Sequence, residues 1–125
     1  MEEEIRRVLI VDDERALHAM LKPILCSHGF ETISAMTGEE GLAMARDVCP
    51  DIIILDVIMP TMKGREVCRC LKSDPATAKI PVVFLTAKDS EDDVRAEMQA
   101  GAVAHITKPI NPGVLVKTLK GVLGI

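Results

Sequence analysis

Tryptophan and tyrosine are missing from this chain and phenylalanine occurs only twice, which removes the usual stacking platforms for a flavin ring or an unpaired base. Any core must therefore be aliphatic. Long apolar runs are missing too: nothing approaches the roughly 20 residues of a membrane span. The opening M-E-E-E-I-R-R-V-L-I lacks the cationic segment followed by an apolar one that marks a secretory leader, so a cytoplasmic location is expected. Positive charge is in deficit, with 15 Lys and Arg against 19 Asp and Glu, a formal net charge of −4 and a pI near 5.3. That balance argues against direct nucleic-acid binding and against an anionic membrane surface. Cysteine is sparse. Cys26, Cys49, Cys68 and Cys70 show no paired C-x-x-C spacing, and Cys68 and Cys70 would point about 200° apart on a helix, so reduced filler cysteines are expected rather than a metal site or disulfides.

What is present is enough for one core. The chain has 125 residues, of which 48% are hydrophobic, and is expected to form a single domain over residues 1–125. Its most informative stretch is D-I-I-I-L-D-V-I-M-P, Asp51 to Pro60. Ile52 to Leu55 lack the alternation of a half-exposed strand and suit a parallel strand buried on both faces, which delivers Asp56 to one edge of a sheet.

The rest of the chain repeats that logic. Val8–Val11 is a short apolar run ending in Asp12, Asp13 and Glu14. A helix follows with Leu17, Leu21, Ile24 and Leu25 on one face, expected to kink at Pro23 and to close at His28 and Gly29. Phe30–Ala35 reads as a strand. Thr37, as N-cap with Glu40 as its capping-box partner, opens a helix over about Gly38–Asp47. After the strand Asp51–Asp56 come a loop through Pro60 and Gly64, a helix that turns Val67 and Leu71 inward, and a connecting loop over Ser73–Lys79. Met59 and Met62 are expected to pack the loop. Pro81–Leu85 is a fourth buried run, ending in Thr86. Asp89–Ala100 reads as a helix with Val94 and Met98 facing in and Gly101 as its cap. Val103–Thr107 is a fifth strand, ending in Lys108 and Pro109, and Asn111 with Pro112 opens a last helix to about Leu123. Its face of Leu115, Thr118, Leu119 and Val122, widened by Val116 and Leu123, serves either core packing or an interface. His18 and His28 read as surface residues remote from the acidic cluster.

Strict strand–helix alternation demands right-handed crossovers and an α/β, doubly wound parallel sheet of five strands with five helices. Ligands in such sheets bind beyond the carboxyl ends of the strands. That edge gathers Asp12, Asp13, Asp56, Thr86 and Lys108. Neighbouring carboxylates raise one another's pKa and call for cations, which Lys108 and a hard divalent ion such as Mg2+ supply. An ammonium, a hydroxyl and a metal around one carboxylate make a phosphoryl-transfer site with Asp56 as acceptor.

Four motifs, I-V-D-D-E (Ile10–Glu14), L-D-V-I-M-P (Leu55–Pro60) with Gly64, L-T-A (Leu85–Ala87) and T-K-P (Thr107–Pro109), each end an expected strand. With them in this order, the chain resembles a receiver domain of a two-component response regulator over residues 6–123. The resemblance implies the flavodoxin-like strand order 2-1-3-4-5. It also implies Asp56 as the phosphoacceptor for a histidine kinase or phosphotransfer protein. Mg2+ would be held by Asp13, Asp56 and the backbone carbonyl of Ile58, with Asp12 acting through metal-bound water. Lys108, followed by a cis bond to Pro109, would hold the phosphoryl group, and Thr86 would donate its hydroxyl to it, vacating space for the side chain at position 105. Partner binding or homodimerisation through helix 4, strand 5 and helix 5 would then change. Such a protein is a signalling switch, not a metabolic enzyme.

Three positions depart from the family pattern. His105 stands where Tyr or Phe is usual, and is expected to be the switch residue, entering the pocket more easily when neutral, since imidazole changes charge near pH 6.5. Ile58 cannot position an attacking water, and Lys88 is expected to shield the site, so a slowly hydrolysed phosphoryl group is expected. Two rival readings are a Mg2+-dependent phosphohydrolase, which generally wants a second carboxylate where Ile58 stands, and a flavodoxin-like carrier, disfavoured by the missing aromatics.

Overall fold

Short β-branched runs that are apolar on both faces can be satisfied only by a sheet covered on both sides, and that is how they are used. The computed structural model describes residues 5–87 and 90–125. Its elements alternate as β1 (Arg6–Val11), α1 (Arg15–Ser27), β2 (Phe30–Ala35), α2 (Gly38–Val48), β3 (Ile52–Asp56), α3 (Gly64–Ser73), β4 (Val82–Thr86), α4 (Glu91–Gln99), β5 (Ala104–Thr107) and α5 (Pro112–Leu123). The five strands are all parallel, in the order β2-β1-β3-β4-β5.

The register sorts side chains to two cores. Leu9, Val11, Ile53, Leu55, Val82 and Phe84 pack with Ala45 of α2, with Val67 and Leu71 of α3, and with Ala100 at the end of α4. On the other face, Val8, Ile10, Ile52, Ile54, Val83, Leu85 and Ile106 pack with Leu17, Leu21 and Leu25 of α1 and Leu115 and Leu119 of α5. Val8–Val11 of β1 and Ile52–Leu55 of β3 lie inside the sheet and are buried and apolar throughout, and carboxylates follow only at the carboxyl ends of these runs.

Local signals act as their chemistry dictates. Thr37 Oγ1 accepts the Glu40 N–H at 3.1 Å, and Asn111 Oδ1 accepts the Val114 N–H at 3.1 Å, each satisfying an orphan amide of the first helical turn. The return arm of the first cap differs from the expected box: Glu40 Oε1 accepts from the Met36 N–H at 3.3 Å, one residue before the cap. Gly29 and Gly101 follow their helices at φ +86° and +111°, where a Cβ is strained. Met59 is buried and Met62 packs against the same cluster, as expected of loop packing.

Several side chains sit otherwise than their sequence pattern suggests. α1 is helical from Arg15 to Ser27 with Pro23 inside it, and its inward face of Leu17, Leu21 and Leu25 packs on the sheet. Met98 is 40% exposed, whereas Glu97 is 0% exposed, so the inward face of α4 is turned one residue from the hydrophobic pattern. Of the four cysteines only Cys68 is buried; Cys26, Cys49 and Cys70 are exposed and fill nothing, though all four are free thiols. On α5, Leu115, Val116 and Leu119 are buried, so that face is core. Lys88, and the expected helix start at Asp89, lie outside the described residues.

Candidate functional site

β1 and β3 lie side by side, so their carboxyl ends present Asp12 and Asp56 together. Asp12, Asp13 and Asp56 each offer a carboxylate oxygen, and these oxygens all lie within 4.8 Å of one another. Their settings differ. Asp12 is 0% and Asp56 6% exposed, while Asp13 faces solvent. Lys108, brought in after β5, is the cation of the cluster among the described residues. Its Nζ stands 3.3 Å from Asp12 Oδ2, 3.6 Å from Asp56 Oδ1 and 3.8 Å from Glu14 Oε1. The Lys108 N–H donates to the Thr86 carbonyl at 2.7 Å, which ties this side of the site to β4, and the Lys108–Pro109 bond is cis.

Among the described residues, the single ammonium of Lys108 does not balance this much negative charge. Burial, and then the Asp12 carboxylate, push the Asp56 carboxyl up to about 6, with Lys108 and the Ile58 N–H pulling it down and Asp13 adding a further push. For Lys108, burial alone would lower the ammonium, but Asp56 and Asp12 outweigh it and hold it above its ordinary value. The three-carboxylate donor set is all hard oxygen and still short of positive charge. It fits a small divalent cation of the Mg2+ type, and a soft metal would find no sulfur or imidazole among these three donors.

The open side of the site is a depression lined by Asp13, Glu14, Asp56, Ile58, Thr86, Ala87 and Lys108. Six of the residues expected at the site thus come together: Asp12, Asp13, Asp56, Ile58, Thr86 and Lys108. Ile58 turns its backbone inward, the N–H donating to Asp56 Oδ1 at 3.3 Å, while the residue is 58% exposed. No carboxylate stands at that second position after Asp56, which is where the phosphohydrolase reading needs its acid/base. His105 does not line the depression. It pairs in register with Phe84 on β4, two residues before Thr86, and so shares a face of the sheet with Thr86 without entering the site.

One contributor was expected elsewhere, and two residues of the motifs have contacts that the sequence does not specify. His18, expected at the surface, is buried, and its Nε2–H donates to the Asp12 carbonyl at 2.8 Å, bracing the turn that carries both aspartates. Its spacing of six residues from Asp12 is the one available hint, since it returns the side chain over the first turn of α1. Glu14 adds a carboxylate 3.8 Å from Lys108. Gly64 donates its N–H to the Val57 carbonyl at 2.9 Å, and a Cβ there would collide with the Asp56 carbonyl oxygen. The backbone that holds Asp56 therefore requires glycine at the start of α3.

Known proteins share this arrangement. The family model for the response regulator receiver domain matches residues 8–120. Response regulator PleD of Caulobacter vibrioides is 47% identical over 105 residues, which are 84% of this chain but only 23% of PleD. Protein PilH of Pseudomonas aeruginosa is 38% identical over 117 residues, covering 94% of this chain and 97% of PilH. The chain therefore spans about a quarter of the one relative and nearly all of the other. Among solved structures, the Vibrio cholerae chemotaxis protein CheY4 superposes with a TM-score of 0.90 at 34% identity, covering 95% of this chain and 99% of that one. Sheet order, the carboxylate cluster at the strand ends and these similarities agree: the chain belongs to the response regulator receiver domain family.

Proposed function

We propose that this chain is a phosphorylation-controlled signalling switch in which Asp56 is the phosphoacceptor. The observation that carries the proposal is the setting of Asp56, a nearly buried carboxylate with an ammonium 3.6 Å away, opening onto a depression that Asp13, Glu14, Thr86 and Lys108 line together with Ile58 and Ala87. An Asp56 oxygen attacks the phosphorus of a phosphohistidine on a kinase or phosphotransfer protein. The P–N bond breaks, its electron pair stays on the imidazole nitrogen, and Asp56 becomes an acyl phosphate. No base is needed, because the acceptor is an ionised carboxylate at neutral pH. Lys108 receives the negative phosphoryl oxygens, and Thr86, buried at the end of β4, supplies its hydroxyl as donor. Asp13, Asp56 and the Ile58 backbone carbonyl would hold Mg2+, with Asp12 acting through a water; the ion there supplies neutralising charge for carboxylates and phosphoryl oxygens alike.

The readout follows from the same face of the sheet. Thr86 drawn to a phosphoryl group leaves room beside His105, the switch residue, and the surface of α4, β5 and α5 changes. That surface exposes Met98, Val103 and Val114, an apolar set suited to a protein target or a second copy of this chain. The net charge of −4 suits protein partners better than nucleic acid. No helix among the described residues is long and apolar enough to cross a membrane. We place the domain in the cytoplasm, as a single receiver unit and a switch without metabolic turnover.

Incubation with acetyl phosphate and Mg2+ tests the proposal directly. The parent is expected to gain the mass of one phosphoryl group and Asp56→Ala to gain none; equal gain by both would place the acceptor elsewhere. Turnover of a generic phosphomonoester by the parent would favour the hydrolase reading. The same preparation reports phosphoryl lifetime. The exposed aliphatic Ile58 offers no group to orient a water, so Ile58→Asn is expected to lose its phosphoryl group faster, by a factor of about 10 if one positioned water is gained. Equal decay would mean that the side chain at 58 does not control hydrolysis.

A further inference from the structure

His18 is a buried imidazole that phosphoryl transfer does not itself call for. Its Nε2–H donates to the Asp12 carbonyl at 2.8 Å, while its Nδ1 is buried and has no hydrogen-bond partner among the described residues. The ring is held inside for one polar link. Buried polar groups are kept where their bonds do something, so the acceptor, the peptide between Asp12 and Asp13, is the group that this side chain controls.

Asp12 is engaged at every polar atom. Its N–H donates to the Ala35 carbonyl at 3.1 Å, its Oδ1 accepts the Glu14 N–H at 2.9 Å, its Oδ2 accepts from Lys108 Nζ at 3.3 Å, and its carbonyl takes the His18 bond. Asp13 has no such set. It is exposed, and among the described residues Lys108 reaches Asp12, Asp56 and Glu14 but not Asp13. The direction of the Asp13 side chain therefore comes from its backbone. The Asp12 carbonyl and the Asp13 N–H belong to one planar peptide, so a donor that fixes the carbonyl also fixes the plane from which the Asp13 Cα leaves. Glu14, the N-cap of α1, makes no side-chain cap bond and adds no second clamp from the helix start.

We propose that His18 is a positioning residue for the divalent metal: by holding the Asp12–Asp13 peptide it aims the Asp13 carboxylate at the point where Asp12 and Asp56 also present oxygens, and so sets the Mg2+ affinity of the site. This rests on Asp13 being a metal ligand, and names what places it. His18 acts through Asp13 and is no ligand itself, because Nε2 is given to the carbonyl and Nδ1 is buried. The three carboxylates offer oxygens within 4.8 Å of one another, so a modest rotation of the peptide takes one donor out of the set. Losing a group that orients a metal ligand weakens binding about 10- to 100-fold. The lower end applies here, since Asp12 keeps its other three bonds.

The test compares the whole chain as parent, His18→Gln and His18→Met. Glutamine carries an N–H donor as many bonds from Cα as Nε2 stands, and methionine has similar length with no donor. Mg2+ affinity is read by competition with a fluorescent chelator, and phosphoryl uptake from acetyl phosphate is followed against Mg2+ concentration. His18→Met is expected to bind Mg2+ about tenfold more weakly than the parent, and His18→Gln within about twofold of it. In the uptake assay the Mg2+ concentration at half the maximal rate should rise by the same factor in His18→Met while the rate at saturating Mg2+ stays at the parent's, a split that general loosening of the fold does not produce. The parent alone gives a further readout that needs no variant to fold. Coupling is reciprocal, so the His18 Nε2–H NMR signal should exchange with solvent more slowly once Mg2+ is added. Parent affinity in His18→Met, equal weakness in His18→Gln, or unchanged Nε2–H exchange in a parent that binds Mg2+ overturns the positioning role and leaves the metal site standing. A parent that binds no Mg2+ overturns both.

Discussion

Asp56→Asn is expected to stabilise the metal-free protein by about 3 kcal/mol at pH 8 while removing its capacity to accept phosphoryl groups. The reason is the charge crowding at the ends of β1 and β3. The folded-state value of about 6 for Asp56 lies above its ordinary value of 3.8, chiefly because the carboxylate is buried and stands beside Asp12. Between those values the folded state binds more protons than the unfolded one, so stability must fall as pH rises. The parent is at its most favourable below about pH 4, loses its advantage up to about pH 6 to 7, and pays the full cost above. Asparagine carries no charge and has no such slope. Urea unfolding in chelator across that range should therefore give a difference between parent and variant that grows with pH and then levels. Parallel curves would show that Lys108 already neutralises the cluster. Saturating Mg2+ should raise the parent and leave the variant little changed, since ligand binding to the folded state adds RT ln(1 + [L]/Kd) and the variant has lost a charged donor.

Gly64→Ala carries the opposite sign. The added methyl group would run into the Asp56 carbonyl oxygen and stand 2.9 Å from the Val57 Cα, both backbone atoms of the strand end and loop that carry the acceptor. Neither can rotate away as a side-chain tip can. A loss of about 3 kcal/mol is expected, the upper part of the range for overpacking, together with slower phosphoryl uptake as Asp56 is displaced. Gly121→Ala is the control. It lies in α5 with nothing within 4 Å of the added carbon, and should gain up to about 1 kcal/mol from helix propensity. Thermal unfolding of the two variants separates collision from simple loss of glycine flexibility. A Gly64→Ala variant as stable as the parent would mean that the α3 start moves freely relative to β3.

The strands were the most legible part of the sequence, because a run such as Ile52–Leu55 has no polar side to show and can only be buried on both faces. Helix starts at Thr37 and Asn111 were legible for a different reason: a hydroxyl or amide oxygen at an N-cap satisfies a local amide, whatever the rest of the chain does. Helix faces read from hydrophobicity alone fared less well. On α4 the apolar candidate was Met98 and the buried residue is Glu97, a rotation of one position that depends on how the helix lies against β5. His18 was misplaced for a similar reason. The six-residue spacing from Asp12 hints at proximity, but burial of the imidazole follows only from the packing of α1 at the end of β1, which offers it the Asp12 carbonyl.

By itself, then, the sequence determined which side chains each strand would carry to the edge of the sheet: Asp12 and Asp13 after β1, Asp56 on β3, Thr86 on β4 and Lys108 after β5. Period, run length and caps are local properties, and they are written in neighbouring residues. Only the tertiary structure decided what those groups meet. The value near 6 at Asp56, the brace from His18, the room for glycine alone at position 64 and the buried, unpartnered carboxylate of Glu97 all depend on how the elements pack against one another. Electrostatic cost and steric collision act through space, and a one-dimensional pattern carries neither.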